Sequence, residues 1–225
     1  MGLVVWATFS LQVAQADFLV TSPAALGAND VIDWGQLGPS SIVTVVPSPA
    51  SLISSLGLDA TASTTDPTGL LRLDDGTDWH GNFLPGDRLL TSFTTNYFPL
   101  TVVFATPVFG AGANIQLDPH EPFTAFIEAF NGGTSLGIVT EDGLSNGNED
   151  GSAIFIGFRD PNAEITSVVF GLTTPTDSDF AINALRINTN GVPEPSSFYL
   201  LSGALLLFAS RQLIRRRLRL LKGTR

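Results

Sequence analysis

The alternation of apolar and polar residues between positions 17 and 190 is the feature that most constrains the fold of this chain. Apolar side chains recur at every second residue or in short continuous runs, and the runs end at Gly, Pro, Asn or Asp. Period two puts successive side chains on opposite faces of a strand, whereas a helix buries residues three and four apart. No segment of helical length in this region shows the second pattern. We therefore predict an all-β fold for residues 17–190.

Turn signals between the apolar runs favour a single antiparallel domain. Asn131-Gly132-Gly133 is typical of a hairpin turn, because these residues readily adopt a positive φ. Many short strands joined by such turns predict an antiparallel β-sandwich or a jelly-roll-like domain. The predicted strands are Phe18–Thr21, Ser41–Val46, Leu89–Thr94, Leu100–Phe104, Ala113–Leu117, Phe123–Asn131, Ser135–Thr140, Ala153–Arg159, Ile165–Leu172 and Phe180–Asn188. Residues 46–87, rich in Ser, Thr, Asp and Gly, are predicted to form long loops over the sandwich.

Charge is distributed very unevenly along the 225 residues. The chain has 21 acidic and 11 basic residues, and seven of the basic residues lie among the last 15. Between Asp17 and Val192 there are only four, namely Arg72, Arg88, Arg159 and Arg186. A region this acidic repels phosphate backbones, so we expect no nucleic-acid partner. The absence of cysteine excludes disulfides, thiolate metal sites and cysteine nucleophiles.

The first 16 residues have the pattern of a signal peptide. An apolar stretch from Leu3 to Leu11 is followed by Ala14-Gln15-Ala16, just before Asp17. Small residues at Ala14 and Ala16 suit the pockets of signal peptidase, which accept only small side chains. We therefore predict an N-terminal signal helix over residues 1–16, cleavage after Ala16 and export of the rest of the chain.

The C-terminal segment combines three features in a fixed order. Pro193, Glu194 and Pro195 precede an uncharged apolar run from Phe198 to Ser210, and a basic segment follows over 211–225. This basic tail includes the consecutive arginines Arg215, Arg216 and Arg217. The pattern predicts a short transmembrane helix over about residues 198–214. The basic tail would remain in the cytoplasm, which puts the acidic region on the far side of the membrane.

Residues 191–225 resemble the PEP-CTERM sorting signal of bacterial exported proteins. The resemblance implies an inner-membrane-anchored precursor that an exosortase-type protease processes near Pro193–Pro195. The mature protein would then reach the cell surface or an extracellular matrix that contains exopolysaccharide. Segments within residues 30–188 also resemble a recurrent ectodomain of PEP-CTERM proteins, which implies a sandwich fold and no assigned activity. They are "DVIDWGQLG" (Asp30–Gly38), "GNFLPGDRLL" (Gly81–Leu90), "GANIQLD" (Gly112–Asp118), "GSAIFIGF" (Gly151–Phe158) and "DFAINALRI" (Asp179–Ile187).

Glu128 is the most informative carboxylate for a binding site. It alternates with Phe126 and Phe130, so all three side chains are predicted to share one face of a strand. A carboxylate between aromatic rings suits a glycan-binding site, or the acid of a glycosidase if a second carboxylate faces it. The sequence offers no convincing second carboxylate. Trp34 and Trp79 are alternative candidates for stacking on a sugar ring.

Asn146, Asn148 and Asp150 alternate like the first ligands of a calcium-binding loop. The position that should carry a bidentate Glu is occupied by Gly157, so an acidic hairpin tip is the alternative. A second acidic cluster lies at residues 74–78. Calcium is therefore the one metal that the sequence suggests, and no organic cofactor is expected.

These patterns predict an exported, non-catalytic protein of the bacterial cell surface or extracellular matrix. Its role would be structural or adhesive, with exopolysaccharide as a binding partner. Two alternatives remain open at the level of sequence. One is an extracellular glycan-active hydrolase, which requires a second carboxylate near Glu128, and the other is a calcium-dependent matrix adhesin.

Overall fold

The computed structural model describes residues 18–41, 44–92 and 98–190. The predicted signal peptide, the sorting signal with Pro193, Glu194 and Pro195, the predicted membrane segment and the basic tail lie outside these ranges. In the described residues, helical structure is limited to the four-residue α1 (Pro23–Leu26) and a 3₁₀ turn (Trp34–Leu37). The all-β prediction is confirmed. In the same ranges, no helix is long and apolar enough to cross a membrane.

The remaining regular structure consists of strands numbered in chain order. They are β1 (Leu19–Val20), β2 (Asp30–Ile32), β3 (Ala50–Ile53), β4 (Asp59–Thr64), β5 (Leu70–Asp74), β6 (Arg88–Ser92), β7 (Leu100–Val108), β8 (Gly110–Leu117), β9 (Pro122–Asn131), β10 (Thr134–Leu144), β11 (Ile154–Arg159), β12 (Ile165–Thr174), β13 (Phe180–Ile182) and β14 (Leu185–Asn188).

The strands form two antiparallel sheets that face each other across one core. In sheet A the order is β1-β11-β8-β13-β6-β5, with β14 paired to β8 and β2 paired to β14. In sheet B the order is β10-β9-β12-β7-β4-β3. Buried residues of both sheets belong to one continuous hydrophobic cluster. This is the arrangement of a sandwich, in which the inward half of each alternating strand fills the space between the sheets.

Strand β9 shows how the alternation builds this core. Phe123, Ala125, Ile127 and Ala129 are buried, while the residues between them are partly exposed. Ile115, on the central strand β8 of sheet A, is also fully buried in the same cluster. Burying one large apolar side chain stabilises a fold by roughly 1.5–3 kcal/mol. In a chain without cysteine, this burial is the main source of stability.

In two segments the structure differs from the sequence-based prediction. The prediction of long loops over residues 46–87 is wrong, because this segment contains β3, β4 and β5. The inward residues of β3 and β4 include Ala50, Ala60 and Ala62, whose small side chains give a weak hydrophobic signal although they are buried. The predicted strand Ser41–Val46 is wrong in its described residues, where only Val46 forms an isolated bridge.

The predicted strand Phe180–Asn188 is divided into β13 and β14. Asn183 lies at the break between them, and its side chain accepts a hydrogen bond from the backbone N–H of Asn114 on β8. The break allows both short strands to pair with β8 at successive positions.

The outer side of sheet A is covered by other parts of the chain. Near β8 and β11, Leu26 of α1 packs with Val20 and Phe155. Over β5 and β6, the segment 75–87 contributes Trp79 and Phe83 to a second small cluster. In the described residues, no segment covers the outer side of sheet B, so this side of the sandwich is left as a surface.

Candidate functional site

The outward side of sheet B is an exposed surface without a buried side chain in the described residues. We call this surface the open face. Its side chains include Ser51 and Ile53 on β3, Asp59, Thr61 and Ser63 on β4, Thr101 and Val103 on β7, Thr124, Phe126, Glu128 and Phe130 on β9, Ser135, Ile138, Thr140, Asp142 and Leu144 on β10, and Ser167 and Val169 on β12. Hydroxyl and apolar groups dominate this set.

Strand β9 places two of its three phenylalanine side chains on the open face. Phe126 and Phe130 point outward with intermediate exposure, while Phe123, Ala125, Ile127 and Ala129 face the core. The opposite orientation of β9 would bury both rings, but it would also bury the carboxylate of Glu128 and expose Phe123 and Ile127. The cost of burying that carboxylate accounts for the observed orientation. Aromatic rings that remain on an uncovered surface are typical of binding sites.

Glu128 lies between the two rings on the same strand. Each ring is two residues away, so Phe126 and Phe130 are about 14 Å apart along a strand that rises about 3.4 Å per residue. Across the sheet, Glu128 is opposite Ile138 on β10 and Val169 on β12. The carboxylate is therefore surrounded by aromatic and aliphatic groups on the open face.

A hydroxyl on the neighbouring strand fixes one oxygen of this carboxylate. Ser135 Oγ donates a 2.7 Å hydrogen bond to Glu128 Oε1. The pairing of β9 and β10 shifts between Ser135 and Gly137, and Gly137 has a φ of 144° that favours glycine. In the described part of the chain, Glu128 forms no ion pair. Its second oxygen is left to solvent or to a ligand.

The open face does not provide the carboxylate pair of a glycosidase. Such pairs are about 5–5.5 Å apart in retaining enzymes and about 6.5–9.5 Å apart in inverting ones. In sheet B the other acidic residues are Asp59, Glu141 and Asp142. Asp142 is opposite Thr124, which puts it about 14 Å from Glu128 along the strand direction. Asp59 is three strands away and four residues out of register, about 20 Å from Glu128. Glu141, opposite the buried Ala125, points to the inner side.

The two tryptophans predicted as alternatives are not on this face. Trp34 has no exposed surface, and its indole N–H donates a 2.8 Å hydrogen bond to the carbonyl of Asn183. Trp79 is 6% exposed and packs in the small cluster over sheet A. The structure therefore does not bring either indole together with Phe126 and Phe130, and neither ring has a free face for stacking.

The predicted calcium loop uses its side chains to hold its own backbone. Asn146 Oδ1 accepts from the N–H of Asn148, and Asp150 Oδ1 accepts from the N–H of Ser152. Hydrogen bonds from Ser152 hold the pKa of Asp150 below its usual range. In the described ranges, no group of three or more His, Asp or Glu side chains is placed to hold a metal ion.

Sequence reasoning missed the β10 contribution to the open face. Ser135 and Ile138 join the site because β10 pairs with β9 along its whole length. The hairpin signal Asn131-Gly132-Gly133 could have indicated this register, since a tight turn fixes which residues are opposite each other. The shift at Gly137 could not have been located from the alternation alone.

No protein-family model matches the chain, and no curated protein matches it. Among solved structures, the K2 cleaved adhesin domain of Lys-gingipain is similar over 57% of this chain and 90% of that chain, with 16% identity and a TM-score of 0.38. A family 6 carbohydrate-binding module covers 57% of this chain and 87% of its own, with 11% identity and a TM-score of 0.33. A family 61 module in complex with β-1,4-galactotriose covers 58% and 88%, with 12% identity and a TM-score of 0.31. Similarities this low do not assign a ligand or a site residue.

Proposed function

We propose that this is an exported, non-catalytic protein of the bacterial cell surface or extracellular matrix, and that it binds polysaccharide through the open face. The observation that carries the proposal is the placement of Phe126, Glu128 and Phe130 on one strand surface that the described residues leave uncovered. Sugar rings have apolar faces that stack on aromatic side chains, and their hydroxyls hydrogen-bond to carboxylates and to Ser and Thr.

The dimensions of the site favour a chain of sugars over a single one. The two rings are about 14 Å apart along β9, so a ligand must be extended to touch both. Hydroxyl side chains lie on neighbouring strands at Ser135 and Ser167, each opposite Phe130. The separation of Glu128 from the other carboxylates of sheet B supports binding without hydrolysis.

The proposal is tested by isothermal titration with the full chain, in a detergent that has no sugar headgroup. Soluble oligosaccharides that represent common exopolysaccharide backbones are the probes. Replacement of both rings in Phe126→Ala/Phe130→Ala removes two aromatic contacts, each worth about 0.5–1.5 kcal/mol. We expect the affinity to fall by roughly tenfold or more.

The matched control is Leu56→Ala, which removes an exposed apolar side chain outside the open face; Leu56 is 65% exposed. This variant should keep the affinity of the original protein, and thermal melting should show that all variants are folded. Unchanged binding by the double-alanine variant, or no binding of any oligosaccharide by the original protein, would contradict the proposal.

The export and sorting part of the proposal rests on the two terminal sequence patterns, and the intact mass of the protein from native cells tests it separately. Cleavage after Ala16 and a new C-terminus near Pro193–Pro195 are the expected results. A mass that retains the tail to Arg225 would mean that no exosortase-type processing takes place. It would leave the polysaccharide-binding proposal untouched.

A further inference from the structure

We infer that the polysaccharide bound by the open face carries free amines, as in a polymer of hexosamines without acetyl groups. This inference rests on the proposed function and specifies the chemistry of its ligand. The juxtaposition that carries it is a carboxylate that has no basic partner among the described residues, set between two aromatic rings on a sheet whose strands contain no Lys or Arg.

The local surroundings of Glu128 favour a cationic ligand. Its Oε1 accepts from Ser135, and in the described residues its Oε2 has neither a hydrogen-bond donor nor a basic neighbour. Ile138 and Val169, on either side, give the carboxylate a less polar environment than open water. An ion pair is stronger in such an environment than between fully solvated groups. An ammonium group would complete the bonding of this carboxylate.

The two rings add to the preference for a positive charge. The face of an aromatic ring carries negative electrostatic potential and attracts an ammonium ion. Phe126 and Phe130 each lie about 7 Å from Glu128 along the strand. A polymer with an amine on every sugar would present one ammonium to the carboxylate and others near the rings.

The charge of the whole sheet supports the same choice. The six strands of sheet B contain four acidic residues and no Lys or Arg. By contrast, Arg72, Arg88, Arg159 and Arg186 all lie on strands of sheet A. The open face therefore repels acidic polysaccharides and attracts cationic ones. It has no electrostatic preference for or against neutral polysaccharides.

The hydroxyl groups of the open face favour an amino sugar over a lysine-rich peptide. Thr101 is next to Val169, and Ser63 is next to Thr101, so hydroxyls continue across the sheet from the Glu128 position. Each hydroxyl can both donate and accept, which matches the many hydroxyls of a sugar chain. A lysine side chain offers only donors at its tip.

The experiment compares oligomers of glucosamine, N-acetylglucosamine and glucose of the same length and linkage, at a pH where the glucosamine amines are protonated. Titrations use the full chain at low and at physiological salt. We expect the glucosamine oligomer to bind about fivefold tighter than the other two at low salt, with a smaller advantage at physiological salt. Glu128→Gln should remove this advantage while neutral oligomers still bind.

Asp59→Asn is the matched control, because it removes one negative charge from sheet B at a distance from the two rings. This variant should keep most of the preference for the glucosamine oligomer. Equal affinity of neutral and amine oligomers would overturn the inference and leave the proposed function standing, provided that the binding still depends on Phe126 and Phe130. A preference that survives Glu128→Gln would overturn it as well. Equally tight binding of a lysine oligomer would overturn it in favour of a basic peptide partner.

Discussion

The backbone N–H of Asn82 donates a 2.6 Å hydrogen bond to Oε1 of Gln116, a residue of the central strand β8 that is only 1% exposed. The Nε2 of the same side chain donates to Ser145 Oγ at 2.8 Å and to the carbonyl of Asn146 at 3.1 Å. Asn82 in turn accepts from the N–H of Asn146 at 2.6 Å. One buried amide therefore joins two loops to sheet A.

We predict that Gln116→Leu strongly destabilises the fold. The substitution keeps a similar volume but leaves the N–H of Asn82 without its acceptor and the carbonyl of Asn146 without its donor, and each unsatisfied buried group costs about 1–3 kcal/mol. A loss of about 2–4 kcal/mol in the free energy of unfolding is expected, measured from urea denaturation curves.

Gln36→Leu is the control for this substitution. Gln36 also bonds backbone groups, the N–H and the carbonyl of Ile53, but it is exposed and water can replace it. We expect Gln36→Leu to lower the free energy of unfolding by less than about 1 kcal/mol. If the two variants lost the same free energy of unfolding, burial of the Gln116 network could not explain the destabilisation by Gln116→Leu.

Gly81→Ala tests the same buried network, because Gly81 lies in close contact with the side chain of Gln116. A Cβ at Gly81 would overlap the side-chain amide of Gln116, with Nε2 at 2.5 Å. Because Gln116 is held on both sides by hydrogen bonds, it cannot move away, and the expected loss is about 1–3 kcal/mol in the free energy of unfolding. Gly133→Ala has no heavy atom within 4 Å of its new Cβ and should change stability by less than about 0.5 kcal/mol. Thermal melting of the two variants compares them directly.

The fold could be predicted where large side chains carry the alternation. The predicted strands Phe123–Asn131 and Ile165–Leu172 match β9 and β12 closely, because Phe, Ile and Val at period two give a strong signal. In β3 and β4 the inward positions hold alanines between serines and threonines, and this composition is shared with loops. Only the pairing of β4 with β7, and of β3 with β4, shows that these alanines face the core.

The candidate site could be predicted only in part. Period two requires Phe126, Glu128 and Phe130 to share a face, whatever the tertiary structure. The alternate set Phe123, Ala125, Ile127 and Ala129 is entirely apolar, so the sequence also favours this set as the inward one. Local sequence holds no information about whether another segment covers the outward set, and in the described residues none does. Burial of Trp34 likewise depends on its bond to the distant Asn183.

Asp30 should stabilise the fold at neutral pH. Burial acts to raise the pKa of Asp30, but hydrogen bonds from Ser54, Ser55 and the N–H groups of Val31 and Leu56 outweigh it and hold the pKa below the usual value. Since the folded pKa is the lower one, this stabilisation is present above about pH 4 and is lost as the pH falls through the folded pKa.

We therefore expect Asp30→Asn to lower the free energy of unfolding by about 2–4 kcal/mol at pH 7, because an amide cannot accept all four bonds. The difference should narrow below about pH 4. Ser54→Ala, which removes the 2.5 Å bond to Asp30 Oδ2, should have a smaller effect in the same direction. A loss of unfolding free energy in Asp30→Asn that is the same at every pH would contradict this explanation.

Asp179 has the opposite effect on stability. Burial is the main reason that its pKa is raised to about 7, and the charges of Asp118 and Asp66 raise it further. Because the folded pKa exceeds the unfolded one, the fold holds a proton that the unfolded chain releases. Stability therefore falls as the pH rises from about 4 to about 7 and is then constant.

Asp179→Asn removes this unfavourable ionisation. The variant should be more stable than the original protein at pH 8, by on the order of 1–2 kcal/mol after allowance for the partial exposure of the carboxylate. The gain should shrink steadily as the pH falls toward 4, in urea denaturation curves recorded at each pH. Asp177→Asn removes an exposed carboxylate nearby and controls for net charge. An Asp179→Asn variant that is less stable at pH 8 would mean that the ionised carboxylate forms a favourable contact that outweighs its repulsion by Asp118 and Asp66.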